Sequence, residues 1–188
     1  LAHRCRQFLE AILVELTPRL LGVDLDGIHR QFHRGGIALA VENGGSLDLG
    51  KRSATFLETR MLHWPDSMFS YLMEDKILFA SDGFGQHYAG FEKFDDQVND
   101  EILYQAKKYF ANILLLYAPR ILKLIDQVTE LGLQIDMICP DHGIIWRQDP
   151  AKIIQAYGDW CEQKPLNKAV VVYDTMWHST EKRAWAIA

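Results

Sequence analysis

Cysteine is scarce in this chain. Cys5, Cys139 and Cys161 are the three in 188 residues, odd in number and widely spaced. They form no Cys-x-x-Cys pair and no disulfide framework, which excludes a small disulfide-stapled scaffold and favours a reducing cytoplasm. Basic residues run short as well, with 20 Lys and Arg against 25 Asp and Glu for a net charge of −5. A chain whose main task is to neutralise phosphates carries a basic excess or stripe, so nucleic acid is not the expected partner. Long hydrophobic runs are also missing. The most apolar stretch, "ANILLLYAPRILKLI", is broken by Pro119 and Arg120 and is too short to span a bilayer. No internal repeat, low-complexity tract or signal peptide is visible. Leu1 is not a natural start, and the chain reads as cut at both ends.

What is present suits one domain with a real core: 48% hydrophobic and 24% charged residues over 188 positions. Apolar residues at Phe8, Leu9, Ile12, Leu13 and Leu16 predict an amphipathic helix over Cys5–Leu16, closed by Pro18. A short helix is expected over Leu25–His33, ended by Gly35 and Gly36. From Ile37 the texture turns to short extended segments, "IALAV", "SLDL", "SATFLET", "MFSYL" and "KILFAS", with turn signals between them. A helical region is expected from Asp96 to Gly132, with a stripe of Val98, Ile102, Ala106, Tyr109, Phe110, Ile113 and Tyr117 and a break at Pro119. A strand "QIDMIC" follows. Asp149 and Pro150 then form an N-cap and first-turn pair for a helix to Cys161, and "EQKPLNK" reads as a linker.

Three short stretches carry the chemistry: "LHWPDS" around His63, "FASDGFGQH" around Asp82 and "CPDHGIIW" around His142. Each places a potential metal ligand just after an extended apolar run, where loops gather at one end of a sheet. Imidazole with carboxylate suits zinc or non-haem iron, and a carboxylate can bridge two metals. Taken singly, each histidine is better read as a loop or core residue and Asp82 as a turn aspartate before Gly83. Near the end, "KAVVVYDTMWHSTEK" sends a β-branched run into a hydroxyl-rich loop and a helix start, the form of a phosphate cradle.

Taken together, "MLHWPDSMFSYL", "ILFASDGFGQH", "ICPDHGIIWR" and "VVVYDTMWHSTEK" resemble, in this order, the motifs of flavodiiron proteins, the A-type flavoproteins. The resemblance runs from about Pro18 to the end. It implies an α/β architecture: a partial metallo-β-lactamase-like αβ/βα sandwich over residues 1–162, a linker at 163–168, and the first strand and phosphate loop of a flavodoxin-like domain at 169–188. It implies iron, two per complete subunit, with His63 on one, Asp82 bridging both and His142 on the other. It implies FMN, with Thr175, Met176, Trp177, His178, Ser179 and Thr180 around its phosphate. His87 recurs in the family motif but reads as supporting or structural. Dioxygen or nitric oxide is the implied substrate, rubredoxin or a reduced deazaflavin the donor, and a head-to-tail homodimer the assembly, without nucleic acid or membrane.

One family motif is absent: no His-x-Glu-x-Asp-His occurs in the chain, and in the family it falls just ahead of a helix resembling Cys5–Leu16. Three ligand side chains, one of them shared, leave two irons under-coordinated, so this chain alone is expected to hold metal weakly, FMN hardly at all, and to be inactive. Strands missing ahead of residue 1 would leave an open edge and an open apolar face. Two other readings remain open. A metal-dependent hydrolase of metallo-β-lactamase fold would have no use for "YDTMWHST"; a non-catalytic remnant would fit the missing ligand cluster.

Overall fold

The computed structural model describes residues 41–65 and 67–188. The helices expected over Cys5–Leu16 and Leu25–His33, and all of "IALAV" except Val41, lie outside the described residues. Those that follow form a five-stranded sheet in the order β1 (Ser46–Asp48), β2 (Ser53–Glu58), β3 (Met68–Leu72), β4 (Ile77–Phe79) and β5 (Met137–Cys139). The first four strands run antiparallel to their neighbours, and β4 pairs with β5 in parallel. A parallel pair needs a long crossover, and the helices α1 (Glu101–Tyr109) and α2 (Ala118–Glu130) supply it.

Alternation decides which face is buried. Leu57 pairs with Phe69 and Tyr71 with Leu78, so all four share one face with Ile138, and all five are buried. Against that face pack Ile102, Ala106, Tyr109, Phe110, Leu114 and Ile121 from the helical region, and Ile153 and Tyr157 from α3 (Pro150–Cys161). Tyr157 lies between Phe84 and Phe110, with ring centroids at 4.6 and 5.1 Å. Val98, Ile113 and Tyr117, the other members of the expected stripe, are partly buried against the same core.

The expected helix from Asp96 to Gly132 is real but segmented. Its entry is a separate 3-10 turn, Asp95–Gln97, because the Asp95 carboxylate turns away to accept the N–H groups of Arg147 and Gln148. The end of α1 passes through a π turn (Phe110–Leu114) and a 3-10 turn (Leu115–Tyr117) before α2 begins with Pro119 in its first turn. Proline offers no N–H and its ring crowds the carbonyl four residues back, so the ladder must change register there. Gly132, at φ 61°, closes α2 as expected. In α3 the Asp149 carboxylate accepts the Lys152 N–H at 3.2 Å, a cap worth about 1 kcal/mol.

Beyond the linker, the run 169–173 carries no strand pairing, in contrast to the strand expected there. A lone extended run has no ladder to join, and Val170 and Val172 stay exposed. The helix α4 (Ser179–Ile187) forms as expected from "STEKRAWAI".

At the end of α3, burial pushes the Cys161 thiol up to about 11 from its ordinary 9.0, with the Glu162 charge adding to it. A raised folded pKa gives stability that is whole below the unfolded value and lost as pH rises through the folded one. Stability should therefore fall between pH 9 and about 11. Chemical denaturation across that window should show a shallower decline in Cys161→Ala; identical slopes would remove Cys161 from the account.

Candidate metal centre

The sheet topology brings three loops to one end. Because β4 and β5 are parallel, the residues after them leave from the same end, three positions on to Asp82 in one loop and to His142 in the other. Because β3 is antiparallel to β4, its start lies at that end too, and with it the loop before β3 that carries His63.

Asp82 stands between the histidines. Its Oδ2 lies 3.3 Å from His63 Nε2 and its Oδ1 lies 3.1 Å from His142 Nε2, with its side chain only 10% exposed. The three side chains singled out along the chain are therefore brought together, one carboxylate oxygen toward each imidazole. Two donors about 2.1 Å from one ion and roughly at right angles stand about 3 Å apart, so these separations suit a carboxylate shared by two cations. Among the described residues, no group of three or more His, Cys, Asp or Glu side chains converges on one point to hold an ion. Each imidazole faces a different oxygen of Asp82.

The supports differ on the two sides. Around His63, the Thr59 and Ser67 hydroxyls meet at 3.0 Å and Ser67 donates to the Leu62 carbonyl at 2.8 Å, closing the loop on itself. Trp64 is exposed beside His63, with ring centroids 5.6 Å apart. Around Asp82, Ser81 and Phe84 sit at positive φ, 46° and 63°, a backbone conformation that side-chain-bearing residues adopt at a cost and that collects at functional sites. The Asp141 N–H donates to the Ser81 carbonyl at 2.7 Å, and the Gln86 N–H to the His142 carbonyl at 3.1 Å.

Tyr109 completes the floor. Burial raises its phenol well above the ordinary 10.0, and the charge of Asp82, whose carboxylate takes its hydrogen bond, adds to the shift. The phenol is thus a fixed neutral donor against the carboxylate. The Asp141 carboxyl is also raised, first by loss of water and then by the Asp82 charge, with His142 and Ser81 opposing. His87 is exposed, its ring edge-on to Tyr109 at 4.8 Å and 6.4 Å from His142.

Sequence reasoning placed Tyr109 on a core stripe and passed over Gln86. Nothing in helical spacing separates a core tyrosine from one that touches a carboxylate. For Gln86 the one signal was its position beside His87 in "FGQH".

The hydroxyl-rich segment lies elsewhere in the chain, at the start of α4. Met176 and Trp177 are 82% and 83% exposed, and Ser179 and Thr180 open the helix, which no side chain caps. The buried Thr175 hydroxyl has no hydrogen-bond partner, an orphan that a phosphate oxygen would satisfy. Glu181 in the first turn opposes an anion, but His178 Nδ1 already holds it at 2.6 Å. The Thr175 N–H is taken by Asp174 at 2.7 Å.

The chain is similar to several known proteins. The ODP family beta lactamase matches residues 13–143. A nitric oxide reductase of Moorella thermoacetica is 51% identical over 148 residues, 78% of this chain and 37% of that protein. The solved rubredoxin oxygen:oxidoreductase of Desulfovibrio gigas superposes with a TM-score of 0.79 at 43% identity, covering 87% of this chain and 42% of the other. The flavodiiron protein of Giardia intestinalis gives 0.77 at 35%, covering 85% and 40%. The chain thus spans well under half the length of these relatives. With its β-lactamase-like sheet, its three converging loops and these matches, the chain belongs to the ODP beta-lactamase family as flavodiiron proteins carry it.

Proposed function

We propose that this chain contributes part of a two-iron centre in a flavodiiron oxidoreductase that reduces dioxygen to water, nitric oxide to nitrous oxide, or both. The observation that carries the reading is Asp82, with one oxygen toward each of His63 and His142. His63 would serve one iron, His142 the other, and Asp82 both. Irons held there would supply the electrons that a diatomic substrate takes up. The residues of the chain have their own tasks. The Asp82 carboxylate would hold both cations between the two imidazoles and would neutralise part of their charge. Tyr109 holds a proton at its phenol oxygen against that carboxylate, and the Thr59–Ser67 pair holds the His63 loop in place.

FMN is the proposed electron carrier, its phosphate held by the Thr175 hydroxyl and the start of α4, with Met176, Trp177, His178, Ser179 and Thr180 around it. Residues 1–162, 163–168 and 169–188 are the proposed metal-binding part, linker and beginning of the flavin part. Rubredoxin is the proposed donor, by analogy with the relative named for it. No helix among the described residues is long and apolar enough to cross a membrane. A cytoplasmic setting is proposed from the cysteine pattern.

The proposed assembly is a head-to-tail homodimer in which the flavin of one subunit faces the metal centre of its partner. The exposed Met176 and Trp177 support it, since they are free to meet another chain. A mixing experiment tests function and assembly together. Full-length protein carrying Asp82→Ala is mixed with full-length protein altered in the flavin loop at Thr175 and Ser179. Restored oxygen or nitric oxide consumption is expected, because one flavin–metal pair per mixed dimer is intact. Proven subunit exchange without any return of activity would rule out transfer between subunits.

A further inference from the structure

Gln86 lies at the joint between the two loops that meet at Asp82 and His142. It is 1% exposed, a whole carboxamide out of water. Its Oε1 accepts the Ile144 N–H at 2.7 Å, and its Nε2 donates to the Phe84 carbonyl at 2.8 Å and reaches the Ile144 carbonyl at 3.5 Å. One side chain thus grips residue 144, two past His142, and residue 84, two past Asp82. Trp146 Nε1 donates to the same Phe84 carbonyl at 2.9 Å, holding that residue at its positive φ. Gly143 completes the fit: at φ 87° it has no side chain, and a Cβ there would stand 2.0 Å from Gln86 Oε1. A buried amide is costly unless each polar atom is paired, and here both ends are.

We propose that Gln86 is a positioning residue for the candidate metal centre: its carboxamide fixes the His142 loop against the Asp82 loop and so sets the distance between His142 Nε2 and Asp82 Oδ1. The proposal rests on the reading of those two residues as ligands, but its effect on the loops does not. Without the amide, the loops stay joined by the Gln86 N–H to His142 and the Asp141 N–H to Ser81. His63, held by the separate Thr59–Ser67 pair, should not move.

Gln86→Met keeps the volume and removes the side-chain hydrogen bonds. Ile153→Ala, in the core of α3, serves as a control that destabilises while leaving every hydrogen bond between the two loops in place. Two quantities are read in the full-length protein carrying this chain. Hydrogen exchange at the Ile144 amide, measured without metal, should quicken by about 10-fold beyond the control in Gln86→Met. Cobalt(II) affinity, followed by its visible absorption, should fall by roughly 10- to 100-fold in Gln86→Met and hold in Ile153→Ala. An altered absorption envelope would report the changed ligand geometry directly. Exchange or cobalt affinity in Gln86→Met matching the control would overturn the proposal. Wild-type protein that takes no cobalt, while Gln86→Met still frees Ile144, would overturn the metal reading and leave Gln86 only a holder of loops.

Discussion

Asp82→Ala in the full-length protein carrying this chain should empty both metal positions and abolish gas reduction. The two oxygens of Asp82 face two different imidazoles, at 3.3 and 3.1 Å, so no other side chain among these three is shared. On the proposed reading, removing it would take a ligand from each position and a negative charge from between the two cations. His142→Ala takes a ligand from one position alone and should lower metal content by about half, with the His63 side retained. For Asp82→Ala the loss of activity should exceed about 100-fold, the upper range for changes one layer further out. Iron per chain by elemental analysis, together with oxygen and nitric oxide uptake, decides the matter. Full iron content with normal uptake in Asp82→Ala would end the assignment of Asp82 as a shared ligand.

Gly143→Ala should be strongly destabilising, and far more so than Gly132→Ala. The added Cβ would meet Gln86 Oε1 at 2.0 Å and the Gln86 carbonyl at 2.8 Å, and the backbone sits at φ 87°. A side chain at that φ costs about 1–3 kcal/mol, and expelling the Gln86 amide leaves the buried Ile144 N–H without its acceptor at about 1–3 kcal/mol more, while the Phe84 carbonyl keeps the Trp146 Nε1 donor. Because relaxation shares these costs, the net loss should be on the order of 4 kcal/mol, a large part of the roughly 5–15 kcal/mol that holds a domain. The melting temperature should fall by roughly 10 °C. By contrast, a Cβ at Gly132, which has open space but φ 61°, meets only the backbone cost. A melting temperature for Gly143→Ala no lower than that of Gly132→Ala would show that the His142 loop yields easily and that the close fit is not binding.

Most of the local structure was legible along the chain. The helical stripe from Ile102 to Phe110 and the Asp149–Pro150 start of α3 follow from helical spacing and from a carboxylate placed to accept a first-turn N–H. The strands around "SATFLE" and "MFSYL" follow from short runs between turn signals. The π and 3-10 turns before Pro119 were less so, since composition marks where a helix breaks and not how its ladder is rearranged. The run 169–173 shows the opposite limit. Its β-branched residues favour extension, but a strand exists only where another backbone completes its hydrogen bonds.

The sequence by itself singled out the residue types that meet at this candidate site. His63, Asp82 and His142 each follow an extended apolar run, and a resemblance in long, ordered motifs named them as ligands of a shared pair. It also determined the net charge and the scarcity of cysteine. Spacings of 19 and 60 residues, however, say nothing of distance. Only the tertiary structure decided that the three side chains meet, because meeting depends on strand direction: a parallel β4–β5 pair and an antiparallel β3–β4 pair deliver all three loops to one end of the sheet. Only the packed structure, too, disclosed Gln86 and Tyr109. A buried amide acquires its role from carbonyl and N–H groups 58 residues away, and a phenol from a carboxylate on another loop; those partners are fixed by packing, which no window of sequence contains.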